Sequence, residues 1–466
     1  MGGRRNWRPT FTTLALFAVA LTLFFINDVN KKWRKTALLR YDAAIYYSYL
    51  PAIFIYKDLD LKYMDTLPGY LKEHYKVTCE VLPNGKRYIK TTMGLAYMHL
   101  PFFFMGHIKA GLAGKKQDGY SSPYENFLVY GAYFYVMLAL ILLSVVLRAY
   151  FDDWVAGLSI LSIAVGTNLM YYSTLEGLHV HAYNFSLFCF FLYGVYRYFQ
   201  RPAPWKALLL GLLLGLITLI RPTNILIGLL LPFYGVTNWT ELKARFRFFW
   251  KNGPSVLLFL GAFILPWIPQ LAFWHYVSGK WLFFSYGEKE RFFWTSPHLL
   301  YGFFSYRKGL FIYTPIMALA FTGLFFLRKY AADFFWPLIL FVPLNFYVIF
   351  SWWSWWYGGC YGMRPAIDSY GLMAISLGAF FTWIFRRKSA VPKILVMILW
   401  GALIYLSGFQ TWQYKKGLIH WDAMTKEAYW AVFLKTQKPA DFGELLWPPS
   451  NEKAMEGIDE YSQRKK

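Results

Sequence analysis

The chain has 466 residues, of which 57% are hydrophobic, 22% aromatic and 16% charged, and its mean hydropathy is +0.32. Soluble domains carry about 25% charged residues, so this balance, with apolar runs of about 20 residues recurring from end to end, reads as a polytopic α-helical membrane protein and excludes a soluble one; the alternating pattern of an outer-membrane barrel is absent. The net charge of +23 suits cytoplasmic anchoring with attraction to anionic lipid and, more sharply, a site for phosphate-bearing substrates; nucleic acid is not an expected partner, because no basic stripe sits on a soluble domain.

In chain order, the first apolar run (11–28) is too long for a signal-peptide core and has no small-residue cleavage site after it, so it is predicted to be an uncleaved first span. It is preceded by Arg4, Arg5 and Arg8. A long outer loop (29–123) follows. Within it, Asp42 leads into an aromatic amphipathic stretch, AAIYYSYLPAIFIY, predicted to lie in the membrane interface. Asp42 reads equally as the N-cap of that helix and as a general base, a carboxylate at a polar–apolar boundary that accepts a proton from a hydroxyl. Residues 91–114 are apolar but contain His99, His107 and Lys109.

The basic short connections at 197–206, 243–251, 328–329 and 386–393 all fall inside only if 91–114 does not cross and 207–236 forms two short helices that turn near Arg221-Pro222. That gives about eleven spans: 11–28, 124–148, 154–172, 178–198, 207–220, 223–237, 254–276, 309–327, 334–351, 369–385 and 393–409. Residues 1–409 then form one transmembrane domain, and 410–466 a short outer-face tail. Cys79, Cys189 and Cys360 show no metal-ligand spacing.

Polar residues gather in the outer loops. TLEGLHVHAYN (174–184) places Glu176 and His179 on one helical face with His181 close by, either a metal or acid/base cluster or a hydrogen-bonded helix cap. Arg221 is either paired to a neighbouring helix or a bidentate phosphate ligand. Arg307 and Lys308 open a span as a juxtamembrane pair. SWWSWWYGGCYGMRPAIDSYGL (351–372) combines Trp356 and Tyr357, three glycines, Arg364 and Asp368, and is read as a binding loop over an interfacial aromatic belt.

With this layout, the chain up to about residue 410 resembles the GT-C superfamily of integral-membrane glycosyltransferases, in the branch with protein O-mannosyltransferases and lipid A aminoarabinose transferases. An acid follows the first span (Asp42 in RYDAAIYYSYLPA) and a second acid follows the third (Glu176). Lys90 precedes an interfacial apolar helix, GLLLGLITLIRPTN turns at Arg221, and WWYGGCYGMR ends at Arg364. Two departures stand out: prolines do not directly follow Lys90, and Asp42 is followed by Ala43 rather than by a second acid.

The resemblance implies a polyprenyl-phosphate sugar as donor and a lipid, glycan or protein as acceptor, at the outer face of a bacterial inner membrane with the N-terminus cytoplasmic. Transfer would invert the anomeric centre, with Asp42 as base and Glu176 as second catalytic acid. Lys90, Arg221, Arg307 and Arg364 would bind the donor phosphate, and His179, His181, Tyr306, Trp356, Tyr357 and Asp368 the substrate. Some relatives use a divalent metal and others do not. Two further readings stay open: a transporter or flippase of lipid-linked sugars, which calls for inverted repeats and polar residues through the midplane or on both faces, and a non-catalytic membrane assembly subunit.

Overall fold

The computed structural model describes residues 10–30, 39–69, 71, 73 and 78–458, and is mainly helical. The principal helices are α1 (Phe11–Asn30), α2 (Asp42–Tyr47), α3 (Gly94–Leu112), α4 (Ser122–Tyr150), α5 (Asp153–Val165), α6 (Val180–Gln200), α7 (Pro204–Ile220), α8 (Trp239–Lys251), α9 (Gly253–Ile264), α10 (Ile268–Ser278), α11 (Phe335–Ser351), α12 (Tyr370–Phe385) and α13 (Val391–Lys415). A two-stranded antiparallel hairpin, β1 (Glu80–Val81) and β2 (Arg87–Tyr88), pairs Glu80 with Tyr88 in the first loop. Arg4, Arg5 and Arg8 lie outside the described residues.

Six helical stretches among the described residues are long and apolar enough to cross a membrane: Phe11–Val29, Ser122–Tyr150, Gly253–Ser278, Ala332–Ser351, Arg364–Phe385 and Val391–Lys415. The chain is a multi-pass membrane protein. Helix α3 is not among the six. Three of the expected spans are not continuous α-helices. Residues 154–172 break after Val165 and resume at Leu169–Tyr172. Residues 309–327 divide into Leu310–Tyr313 and Met317–Leu324, with Pro315 between. Residues 223–237 form the 3-10 helix Pro222–Leu229 followed by Leu230–Phe233. Pro222 ends α7 because it cannot continue the i→i−4 ladder. The 3-10 winding rises about 2.0 Å per residue against 1.5 Å for an α-helix, so few residues carry the chain back along α7.

Side-chain contacts define the two ends of the bundle. At one end, the Tyr150 hydroxyl is 2.6 Å from that of Tyr234 and donates to Asp333 at 2.6 Å. Here too Arg245 donates to the carbonyls of Leu231 and Tyr234. At the other end sit Asp42, Arg221 and the 351–372 loop. Helices α7 and α9 run side by side, and their approach needs glycine. A Cβ on Gly211 would come within 2.2 Å of the Phe259 carbonyl, and one on Gly215 within 2.2 Å of the Phe263 carbonyl. This is the small-xxx-small packing that brings membrane helices together. Gly215→Val is expected to destabilise the protein by about 1–3 kcal/mol, read as a lower thermal midpoint in detergent. Gly401→Val, where nothing lies within 4 Å, is expected to leave the midpoint unchanged.

The first loop has its own core. Leu39, Ala43, Tyr47, Tyr49 and Leu50 pack with Phe103 of α3, Tyr124 and Leu128 of α4, and Phe273 and Trp274 of α10. The stretch after Asp42 is therefore a short α-helix that passes into a π-helical turn at Pro51–Ile55 and buries Tyr46, Tyr47 and Tyr49 against protein, while Phe54 stays exposed. It fixes α2 rigidly over the end of the bundle.

Candidate active site

Asp42 does not cap its helix. The N-cap is Tyr41, whose φ of 51° and ψ of −127° are strained for a residue with a Cβ, and the Asp42 carboxylate instead accepts a 3.2 Å hydrogen bond from Arg364. These two residues are 322 positions apart in sequence. The Asp42 side chain keeps 50% of its surface open, yet it sits in a cleft with protein on its other sides. Burial would raise its carboxyl, but the Arg364 guanidinium, helped by His179 and His181, outweighs burial and holds it below the usual carboxylate range.

Arg364 opens the 3-10 turn Arg364–Ser369. One guanidinium nitrogen is on Asp42, while its Nε is buried with no hydrogen-bond partner. Arg221, at the α7 turn, approaches Asp368 at 3.8 Å and lies 5.7 Å from the Tyr357 ring centre. Tyr357 is a second strained position, with φ of 57°. Paired strain of this kind persists only where surrounding packing enforces it; here it bounds the cleft on both sides.

Asp368 is buried, and its two oxygens are fully engaged. Oδ1 accepts from His181 at 2.9 Å, and Oδ2 accepts from Asn184 and Asn224, each at 2.9 Å. One carboxylate thus ties together α6, the Arg221 turn and the 351–372 loop. It is a positioning group that sets the place of Arg221.

The remaining predicted residues divide into three groups. His179 lies close enough to Asp42 to bear on its charge, and its Nε2 is 3.3 Å from Glu176; Glu176 also accepts from Tyr171 at 3.3 Å. Lys90 is on the rim, in an ion pair with Glu290 that joins the first loop to the 277–308 loop, and 5.1 Å from the Tyr286 ring centre. Tyr306, Arg307 and Trp356 face the C-terminal tail. Arg307 donates to the carbonyls of Asp422 and Trp447 and stacks 5.7 Å from the Trp356 ring centre, and the Tyr306 hydroxyl accepts from Trp430 at 3.2 Å. Buried Lys308 likewise donates to the carbonyls of Cys360 and Trp421, which docks the tail on the 351–372 loop.

Two aromatics that sequence reasoning missed complete the cleft. Tyr46 stands one helical turn after Asp42, on the same face, and is buried; the i, i+4 spacing was its available signal. Tyr286 comes from the 277–308 loop. Burial pushes its phenol up to about 12 against the opposing pull of Arg221, and Asp42 adds to the rise, so Tyr286 is within electrostatic reach of both. Asn224, three residues past Arg221, and Asn184, three past His181, were also missed.

Among the described residues no three His, Cys, Asp or Glu side chains gather as a metal-holding group; Glu176–His179 and His181–Asp368 are separate pairs. The three cysteines are free.

These features describe a multi-pass helical bundle with one acid and two guanidiniums gathered at one end. No protein-family model matches the chain, and no curated protein sequence matches it. Its fold is similar to that of a solved oligosaccharyltransferase of Archaeoglobus fulgidus in the apo form, with a TM-score of 0.51 and 13% identity, over 88% of this chain and 56% of that one. The Archaeoglobus fulgidus oligosaccharyltransferase AglB, in complex with an inhibitory peptide and a dolichol-phosphate, gives a TM-score of 0.50 and 12% identity over 86% and 55% of the two chains. The chain spans about half the length of the solved structures it matches. At this identity the likeness establishes the fold alone, one shared with these oligosaccharyltransferases.

Proposed function

We propose that this chain is a glycosyltransferase that moves a sugar from a polyprenyl-phosphate-linked donor to a lipid, glycan or protein acceptor at the outer face of a bacterial inner membrane. The observation that carries this reading is the Asp42–Arg364 pair, set beside Arg221 in an aromatic-walled cleft. Dolichol-phosphate bound to AglB supports a lipid-phosphate donor. The finer branch, O-mannosyl or aminoarabinose transfer, rests on the sequence motifs alone.

In this reading Arg221 and Arg364 receive the donor phosphate. Guanidinium presents two parallel donors to phosphate oxygens, and the unpartnered Nε of Arg364 is one such donor left free. Tyr46, Tyr286 and Tyr357 offer ring faces to the sugar. Asp42 takes the proton from the acceptor hydroxyl as its oxygen bonds to the anomeric carbon. The bond from that carbon to the phosphate oxygen breaks on the opposite side, which inverts the centre, and polyprenyl phosphate leaves with its charge held by the two guanidiniums.

A carboxylate clamped by Arg364 is a weak base. Donor binding resolves this: when the phosphate draws Arg364 away, Asp42 loses the charge that held its carboxyl low and becomes more basic when the donor is in place. The acid limb of kcat/KM reports the free protein and is expected below about pH 4, the ordinary aspartate value. Arg364→Gln is expected to move that limb upward, because the depressing charge is gone; a pH profile of residual transfer checks it. The contribution of this ion pair to stability has the same sign, complete above the unfolded carboxyl value and fading as pH falls through the lower folded one.

The eleven-span arrangement belongs to the same proposal. The Tyr150–Tyr234–Asp333 contacts gather the ends that carry the short basic connections, and the positive-inside rule makes that end cytoplasmic. Turnover by purified protein with a synthetic polyprenyl-phosphate sugar tests the function. Release of polyprenyl phosphate with sugar on an acceptor supports it, and movement of intact donor across a bilayer without transfer would favour a flippase instead.

A further inference from the structure

A groove of about 520 Å³ runs along the outside of the bundle between α7 and α9, lined by apolar residues including Leu208, Leu212, Leu257, Leu258, Gly261 and Leu265. Leu257 and Leu265 are among the exposed apolar side chains. One end of the groove is basic by chain continuity. Lys206 comes two residues before Leu208, and Lys251 comes three before Pro254, which also lines the groove.

Lys251 ends α8, which has no buried residue. Asn238 caps that helix by accepting from the Glu241 amide at 3.0 Å, so it is a formed element that lies outside the core. It carries exposed Trp239, Phe246 and Trp250 together with Lys243, Arg247 and Lys251, and among the described residues no carboxylate forms a salt bridge with these three cations. Arg245 instead fixes the helix to the bundle through the Leu231 and Tyr234 carbonyls. Aromatics and cations without a carboxylate partner on one short helix, with Lys243 lying over the Trp239 ring, are the pattern of a segment lying in a charged membrane interface. The groove descends from that helix along α7, whose 17 residues rise about 25 Å to Arg221, so this feature is remote from the Asp42 cleft.

We propose that the groove and α8 form a seat for one anionic phospholipid, an acyl chain along the leucines of α7 and α9 and the phosphate headgroup against Lys251 and Arg247. Bulk lipid of any kind would wet the leucines; the cations at the groove's end are what select the anionic one. This site is independent of the transfer reaction.

The test is native mass spectrometry of the full chain, delipidated and titrated with phosphatidylglycerol or phosphatidylcholine of the same acyl chains. Phosphatidylglycerol is expected to be retained preferentially, by about fivefold for each contributing cation. The double variant Arg247→Gln, Lys251→Gln is expected to remove that preference and leave phosphatidylcholine retention unchanged. Gly261→Leu, which has open space at its Cβ, is expected to lower retention of both lipids by filling the groove. Equal retention of the two lipids by the native protein, or a preference that survives the double variant, overturns the proposal; because the double variant alters only surface side chains, the outcome is decisive even if Gly261→Leu fails to fold.

Discussion

Asp42→Asn is expected to slow sugar transfer by about 10²–10⁴-fold, the range for loss of a positioned general base, while the protein keeps its fold and still binds polyprenyl phosphate. The substitution preserves shape, and Asp42 contributes no cap to α2, so stability is expected to change little. Phosphate binding is expected to hold or strengthen, because Arg364 loses its competing partner. A variant with reduced turnover and intact donor binding separates a base from a phosphate ligand; Arg221→Gln and Arg364→Gln are expected to weaken donor binding as well as transfer. Full turnover by a folded Asp42→Asn protein would remove Asp42 from the chemistry.

The second large effect is structural. Asp368→Ala is expected to destabilise the protein by about 3–5 kcal/mol, the cost of removing one partner from a buried charged network. It strands the donors of His181, Asn184 and Asn224 and leaves Arg221 without its nearest carboxylate. Asp368→Asn keeps the volume but sets an amide against three donors, so an intermediate loss is expected. Thermal unfolding in detergent measures both. The same variants are expected to weaken donor binding, since Arg221 is then free to turn away from the cleft. Unchanged donor affinity in a folded Asp368→Asn protein would show that the Asp368 network does not set the place of Arg221.

Much of this site was legible in the sequence, for physical reasons that differ by residue. Arg221 was visible because Arg-Pro in the middle of an apolar run too long for one span forces a turn and exposes a charge at the membrane boundary. Asp42 was visible as an isolated acid beside aromatics, and Arg364 as a cation in a glycine-rich aromatic loop. Their pairing was not, because a contact across 322 residues leaves no local pattern. Asp368 was read as a substrate group because its neighbours looked like a binding loop; its two oxygens face inward to α6 and the Arg221 turn, a direction that only packing sets. Arg307 had the composition of a phosphate ligand, but the tail supplies backbone carbonyls that sequence cannot align with it. The breaks within three of the spans were not legible for a related reason. Hydropathy averages over 3-10 turns and breaks such as the one between Val165 and Leu169, whereas backbone hydrogen bonding does not.

The placement of the polar groups also bears on the rival readings. A transporter calls for inverted repeats and for polar groups through the midplane or on both faces, and a scaffold for scattered charges. The carboxylate of Asp42 and the guanidiniums of Arg221 and Arg364 instead meet at one end of the bundle, joined by Asp368 and ringed by tyrosines.

The most direct test is a cryo-electron microscopy structure of the protein in lipid nanodiscs with polyprenyl phosphate. The expected result is phosphate density between Arg221 and Arg364, within hydrogen-bond reach of both, with the Asp42–Arg364 contact opened and the first isoprene units leaving toward the membrane. Phosphate bound elsewhere, or bound with the Asp42–Arg364 pair still closed, would contradict it.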